Sequence, residues 1–464
     1  MSNCAVPNAA CGPRLVSSRR LWMVLASIVL ASCGGSGYDG NGNGNVGKPI
    51  TSGFLRLVNT LPDSPTLLAG LDGATLTRVS FAQATQLQQL ATGKYAINAQ
   101  YLDPAGTTVT LINKEQVTIN IDEQSTVFIV GTLNDHHTKT IVNPVPAITA
   151  GNAEVQVMQT VASQSSLDVY LTDAVADIAT SPKLASVAFD EASDLTTVAS
   201  GTNYRLRVTA AGSTTVLYDS GVFSIADMTR VTFVVVDYFG PGGAGFRVVQ
   251  LSNQNATNFP NEALPVAFRV ANMIADIPSA DLYVGPVAGT PTFSAVAYGS
   301  VAALKQLPAG TLTCTATVAG APATVLFTGT VTLAPGETRT LVLAKGVGSA
   351  ASRTTIDNTR PVGSEGQLQV INAAPSSTPT DMFVIAPGKS TTDTNAVVVN
   401  QPLLSIAGAI AAAGSYDLVF TATATTGPIA GPDPITIDNG GIYTIYVIDA
   451  PGGGAPYHIV VSTF

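Results

Sequence analysis

One strand-like phrase recurs four times in this chain of 464 residues, and its spacing limits what the chain can fold into. Phe268-Arg269-Val270-Ala271-Asn272 is followed, nine residues after the Asn, by Asp281-Leu282-Tyr283. Leu55-Arg56-Leu57-Val58-Asn59 opens an earlier copy. Val155-Gln156-Val157-Met158-Gln159 opens another and reaches Asp168-Val169-Tyr170. Leu368-Gln369-Val370-Ile371-Asn372 opens the last and reaches Asp381-Met382-Phe383. Positions 59, 159, 272 and 372 are separated by 100, 113 and 100 residues. That period is too long for a solenoid repeat and fits one small domain. Four tandem domains are therefore expected, at residues 53–147, 148–254, 255–361 and 362–464. Pro-, Gly- and Asn-rich linkers at 143–150, 252–265 and 346–363 imply few contacts between them, and four such domains in a row would reach about 100 Å.

From Gly53 onward the dominant hydrophobic period is two. Tyr204-Arg205-Leu206-Arg207-Val208 sets both arginines on one face, and Val117, Ile119 and Ile121 alternate with Thr118, Asn120 and Asp122. Residues 229–233 and 441–447 read the same way. Such alternation marks half-buried strands of antiparallel sheets. Turn clusters such as Asp103-Pro104-Ala105-Gly106 and Ala334-Pro335-Gly336-Glu337 separate them. Only residues 81–90 and 405–413 carry the Ala and Gln content that admits short helical turns. About seven strands per hundred residues predicts an all-β chain of four immunoglobulin-like β-sandwiches.

The N-terminus reads as a targeting segment. Arg14, Arg19 and Arg20 precede an apolar run at 21–30, too short to span a bilayer as a helix. The run ends in Leu30-Ala31-Ser32-Cys33-Gly34, which resembles the lipobox of bacterial lipoproteins. The resemblance implies a signal peptide at 1–32 and a lipid-modified Cys33 that anchors the chain to membrane. Gly34 rather than Asp after the Cys implies the outer membrane of a bacterial cell envelope. Cys4 and Cys11 would leave with the leader, so Cys314 is the one thiol left over, placed on an alternating strand. Residues 33–52, rich in Gly and Asn, read as a flexible tether spanning about 24 Å.

The punctuation of each copy points to a family. Ile371-Asn372-Ala373-Ala374-Pro375, Leu167-Asp168-Val169-Tyr170, Leu307-Pro308-Ala309-Gly310-Thr311 and Leu333-Ala334-Pro335-Gly336-Glu337-Thr338 resemble the characteristic stretches of the domain-of-unknown-function family DUF4397. The resemblance spans residues 53–464 as four copies. The first departs most, with Thr66-Leu67-Leu68 where the Asp-x-Tyr strand belongs. It implies a β-sandwich and a cell-envelope or secreted setting, and no assigned chemistry.

Candidate chemistry is sparse. Ala386-Pro387-Gly388-Lys389-Ser390-Thr391 resembles the end of a phosphate-binding loop but lacks the Gly five residues before Gly388. His136 and His137 are adjacent and point to opposite faces of a strand, so no converging metal site is read, and no cofactor is expected. Asp168, Asp281 and Asp381 fall one per domain, so they make no carboxylate pair. Each is expected to accept backbone N–H bonds at a corner. No catalytic residue is assigned.

The net charge of −9 becomes −12 without the three leader arginines, and the charged fraction is 11%. That balance argues against nucleic acid as a partner. Tyr238-Phe239, in a Gly-rich loop, is the one candidate contact site, for a protein or glycan ligand. The functional expectation is a non-catalytic, lipid-anchored envelope module that binds a ligand, with a purely structural spacer as the alternative and a glycan-acting enzyme as the third reading.

Overall fold

The computed structural model describes residues 51–253, 256–345 and 350–464, and residues 50–464 fall in one compact unit. Among the described residues there is no α-helix. The strands form eight sheets that pair around four apolar cores. In the first sandwich, Ser52–Asn59 lies between Gln83–Ala84 and Gln88–Ala91 on one side and Glu123–Gly131 on the other, with His136–Pro144 beyond. The facing sheet runs Ala74–Val79, Leu67–Leu71, Gly93–Leu102, Thr108–Ile119. Leu55, Leu57, Val127 and Ile129 of one sheet meet Leu67 and Ile97 of the other. The same order recurs from opening strands Asn152–Gln159, Val266–Met273 and Gly366–Asn372. Leu67–Leu71 occupies the Asp-x-Tyr strand's place in the first sandwich, despite its different sequence.

Three expectations are corrected here. First, the sheets are not wholly antiparallel. Each opening strand pairs in parallel with a late one: Glu123–Gly131, Arg230–Asp237, Thr338–Ala344 or Ile442–Ile448. The whole facing sheet intervenes in sequence, which is the long crossover a parallel pair needs. Second, residues 81–90 and 405–413 form strands rather than helical turns. Gln88–Ala91 and Ile406–Ala411 close the edges of opening strands, and that hydrogen bonding overrides alanine's helical preference.

Third, the sandwiches are not self-contained. Residues 229–233 and 441–447 are not half-buried: Arg230–Asp237 is buried along all but its last residue and Ile442–Ile448 along its whole length. Phe233 and Val235 face their own core, whereas Val234 and Val236 face the sheet of the first sandwich. There they join Val58, Phe128, Val130, Met158 and Leu251 in a second apolar layer. Ala271, Met273, Val342 and Ala344 of the third sandwich likewise meet Ile371, Ala373, Tyr446 and Ile448 of the fourth. Each pair is therefore four sheets deep, with two seam sheets back to back inside. Continuous apolar runs such as Phe233-Val234-Val235-Val236 are the mark of strands covered on both faces.

The pairs share one register. Asn59 to Asn272 and Gln159 to Asn372 are both 213 residues, so the unit that repeats is a pair of sandwiches. The two seams fill the same space differently. Phe128 and Val234 in the first correspond by strand pairing to Val342 and Tyr446 in the second, so the large side chain changes sides. Such volume-conserving exchange is what a close-packed layer tolerates.

A buried arginine stitches each seam. Arg269 Nε donates to Thr340 Oγ1 at 2.8 Å and Nη1 to Ser462 Oγ at 3.3 Å in the fourth sandwich. Its Nη2 lies 3.6 Å from the Asp357 carboxylate, and the Phe464 ring covers it at 4.0 Å. Arg56 Nε donates to Thr126 Oγ1 at 3.1 Å and Nη1 to Ser252 O, at the end of the second sandwich, at 2.7 Å. Burial pushes the Arg56 pKa down to about 10, which still leaves it charged at neutral pH.

Two outcomes follow from the seams. A fragment limited to the third sandwich, residues 260–361, exposes Ala271, Met273, Val342 and Ala344 and is expected to aggregate, whereas residues 260–464 should melt cooperatively in calorimetry. Arg269→Ala strands the fully buried Asp357 carboxylate and should cost about 3–5 kcal/mol in denaturant unfolding. Burial already raises the Asp357 pKa, and losing the arginine raises it further. Protonation relieves the stranded charge, so the deficit should shrink as pH falls.

Candidate functional site

The signature Asn is a structural peg. Asn59, Asn272 and Asn372 are fully buried, and each Oδ1 accepts the backbone N–H two residues on: Leu61 at 3.1 Å, Ile274 at 3.2 Å and Ala374 at 3.0 Å. Each Nδ2 donates to the carbonyl of a neighbouring hairpin, at Val79, Val296 or Gln401. The Asp residues act similarly. Asp168 accepts Gly212 N at 2.7 Å and pairs with Lys183 Nζ at 2.7 Å, and Asp281 accepts Ala295 N at 2.7 Å and Gly320 N at 2.9 Å. Asp381 accepts Asn400 N at 2.7 Å and Ala424 N at 3.0 Å. All three tie an edge hairpin to a turn, as their corner position predicts.

The other sequence candidates lie apart. Cys314 is buried on its strand, and burial pushes its thiol pKa up to about 11. His136 sits between the Leu133 and Leu111 carbonyls, while His137 Nε2 is 3.0 Å from Asp190 across the first seam. Among the described residues no group of three His, Cys, Asp or Glu could hold a metal ion. Pro387, Gly388 and Lys389 form an exposed turn closed by Lys389 N to Ala386 O. Cys33 and residues 34–50 of the tether lie outside the described residues, and Ser52, expected in the tether, already belongs to the opening strand.

Tyr238 and Phe239 are not the free loop tip that the Gly-rich sequence suggests. Both are half-buried, and their partners belong to this chain. Tyr238 Oη donates to Gly336 O of the third sandwich at 2.7 Å, and burial raises its pKa to about 12. Phe239 meets Phe81 of the first sandwich edge-on, with ring centroids 6.4 Å apart. The glycines give the loop a path that other residues cannot follow: Gly242 and Gly243 have φ of 70° and 77° beside Pro265 and Leu264.

These aromatics line a groove of about 440 Å³ where the first, second and third sandwiches meet the segment leading to the fourth. Arg360, from that segment, donates to Pro62 O at 3.0 Å and Ser64 O at 2.8 Å, and Gly363 N donates to Asp63 O at 2.8 Å. The two pairs are thereby clasped together. The guanidinium carbons of Arg247 and Arg360 lie 5.8 Å and 5.3 Å from the Phe81 ring centroid. Burial lowers the pKa of both arginines. Asp237, at the groove wall, is pushed up to about 6, chiefly by burial and further by the Asp63 carboxylate. A second cleft, of about 410 Å³, is lined by Gln367, Gln369, Ile406, Ile410 and Phe464 and holds no titratable side chain.

Sequence reasoning found Tyr238 and Phe239 and missed Phe81, Arg247 and Arg360, which lie about 160, 10 and 120 positions away in the chain: Phe81 and Arg247 meet the loop through the first seam, and Arg360 through the docking of the second pair. A raised acid pKa means that the folded state holds its charge at a cost above pH 6 and regains that stability as pH falls toward the unfolded value near 4. Asp237→Asn should therefore raise the melting temperature at pH 7, and the gain should vanish between about pH 6 and 4 in a pH series of melts.

No curated protein matches the chain. Among solved structures, the product complex of a multi-modular glycogen-degrading pneumococcal virulence factor, SpuA, is similar over 82% of this chain, at 10% identity and a TM-score of 0.14. The chain spans 37% of that structure's length, and a likeness at that score carries no argument. The model of the family described as domain of unknown function DUF4397 matches residues 53–170 and 266–383. Each match opens with the first sandwich of a pair and ends on the second strand of its partner, Ser166–Asp173 or Thr380–Ile385. Together the two matches cover just over half of the chain, which belongs to the DUF4397 family.

Proposed function

We propose that this chain is a non-catalytic, lipid-anchored binding protein of a bacterial cell envelope, built from four diverged copies of one β-sandwich and carried on the tether at 33–52. The observation that carries the binding reading is the groove at the clasp between the pairs, where aromatic and arginine side chains from distant segments converge on open surface. A spacer needs length, yet the seams and the clasp fold four sandwiches back on one another. An enzyme needs groups free to react, and the recurring Asp residues are engaged with backbone N–H groups. The apolar run at 21–30 ahead of Cys33 supports the anchor.

Lipid chains add about 0.8 kcal/mol of membrane affinity per buried methylene, and more than one chain is needed for firm attachment. Cys33→Ala should leave the chain unprocessed or shift it from the detergent-extracted to the soluble fraction, read by fractionation and immunoblot. A variant that still matures and stays on membrane sinks the anchor. The binding reading is tested by pull-down of the full chain from solubilised envelope, with recovery of one specific partner or glycan as the expected result.

A further inference from the structure

The two pairs repeat, so the corner that forms the groove has an internal counterpart. Strand pairing aligns Asp237 with Asp449 and Arg247 with His458, and the hairpin bond to the signature Asn aligns Phe81 with Tyr298. In the second pair the corner is closed. Tyr298 Oη donates to Asp449 O at 2.5 Å, Ser376 Oγ donates to Asp449 Oδ1 at 2.8 Å, and Gly454 N donates to Oδ2 at 3.2 Å. In the first pair those bonds are gone. Phe81 has no hydroxyl, and Ala450-Pro451 of the second pair gives way to Tyr238-Phe239. Arg247 enters with a buried Nε that has no hydrogen-bond partner, and no carboxylate lies within ion-pair distance of Arg247 or Arg360 among the described residues. A half-buried guanidinium whose Nε has no hydrogen-bond acceptor is costly unless a ligand supplies one.

We propose that this groove binds an acidic sugar, with its carboxylate held by the Arg247 and Arg360 guanidinium groups. The proposal rests on the binding reading above and names its ligand class. The planar guanidinium fork matches a carboxylate in two-bond geometry. The Phe239 ring offers an apolar wall for the carbon face of a pyranose. Glu337 also lines the groove, its carboxylate held by Arg339 Nε at 2.9 Å and Nη2 at 2.8 Å. A compact dianion such as phosphate would meet the Asp237 and Glu337 carboxylates of the lining, whereas a uronate brings one negative charge for the arginines and hydroxyl donors for those carboxylates.

The test uses the purified full chain in detergent, with glucuronate as the probe and glucose and inorganic phosphate as comparisons, followed by ligand-observed NMR titration. Glucuronate should bind saturably, glucose not measurably, and phosphate at least about tenfold more weakly. Arg247→Gln should weaken glucuronate at least about tenfold and still melt cooperatively, because Arg247 Nε has no internal hydrogen bond to lose, although the variant gives up its packing on Phe81. Arg247→Lys, which keeps the charge and loses the fork, should fall between. Unaltered affinity in Arg247→Gln, equal affinity for phosphate, or no glucuronate binding by the parent chain overturns the proposal. An envelope partner still recovered by pull-down in that last case leaves the binding reading standing and removes only this site.

Discussion

Eight strands in this molecule, each sandwich's opening strand and its parallel neighbour, are largely buried on both faces. The rest of the architecture depends on that. A sandwich supplies cover for one face of such a strand, through its facing sheet. The other face carries Val58 and Phe128, or Ile371 and Tyr446, and stays wet unless a second sandwich is laid against it. The pair is thus the smallest unit that hides its own apolar surface, and each family match runs past one sandwich into the next. Arg56 and Arg269 then fix how the partners sit. An apolar layer alone is indifferent to small sliding, whereas a buried guanidinium must find its acceptors on particular strands.

How much of this was legible in the sequence differs by element. The four opening phrases, the all-β class and the corner role of the Asp residues were legible, because turn chemistry and period-two alternation are local. The seams were not. Val234, Val235 and Val236 look like one strand's ordinary apolar run, and only their uninterrupted character separates a doubly covered strand from a half-buried one. The unequal gaps of 100 and 113 held the remaining clue. Equal domains on equal linkers give equal gaps; alternation between two values says that the second and third sandwiches are joined differently from the others. Arg56 and Arg269 carried the same message, since an arginine amid the apolar residues of a central strand needs a buried acceptor from elsewhere.

The Tyr238-Phe239 loop shows why the candidate site was only half visible. Two adjacent aromatics among glycines signal a departure from sheet geometry, and that much is local. Whether the rings face solvent or another sandwich depends on docking that no local rule encodes. Here Tyr238 is tied to Gly336 and Phe239 rests against Phe81, so the loop is first of all a joint between sandwiches. The groove is formed at that joint, and its arginines come from segments whose own neighbourhoods give no hint of a site.

Repetition within one chain supplies a control that a single domain lacks. Both pairs solve the same seam problem with the same peg, the same parallel strand and a buried arginine at the same position. Features that agree between them are accounted for by folding alone. The corner at Asp237 is where agreement stops: Asp449 is enclosed by Tyr298, Ser376 and Gly454, and Asp237 is left with a raised pKa in a groove lined also by two arginines that have no carboxylate partner among the described residues. A fold under no other demand would keep the bonded version, because each bond costs nothing further once the chain is in place and each unmet buried donor is a loss. The first pair carries the costlier corner on the same scaffold, so the difference is better accounted for by what that corner meets than by how it folds.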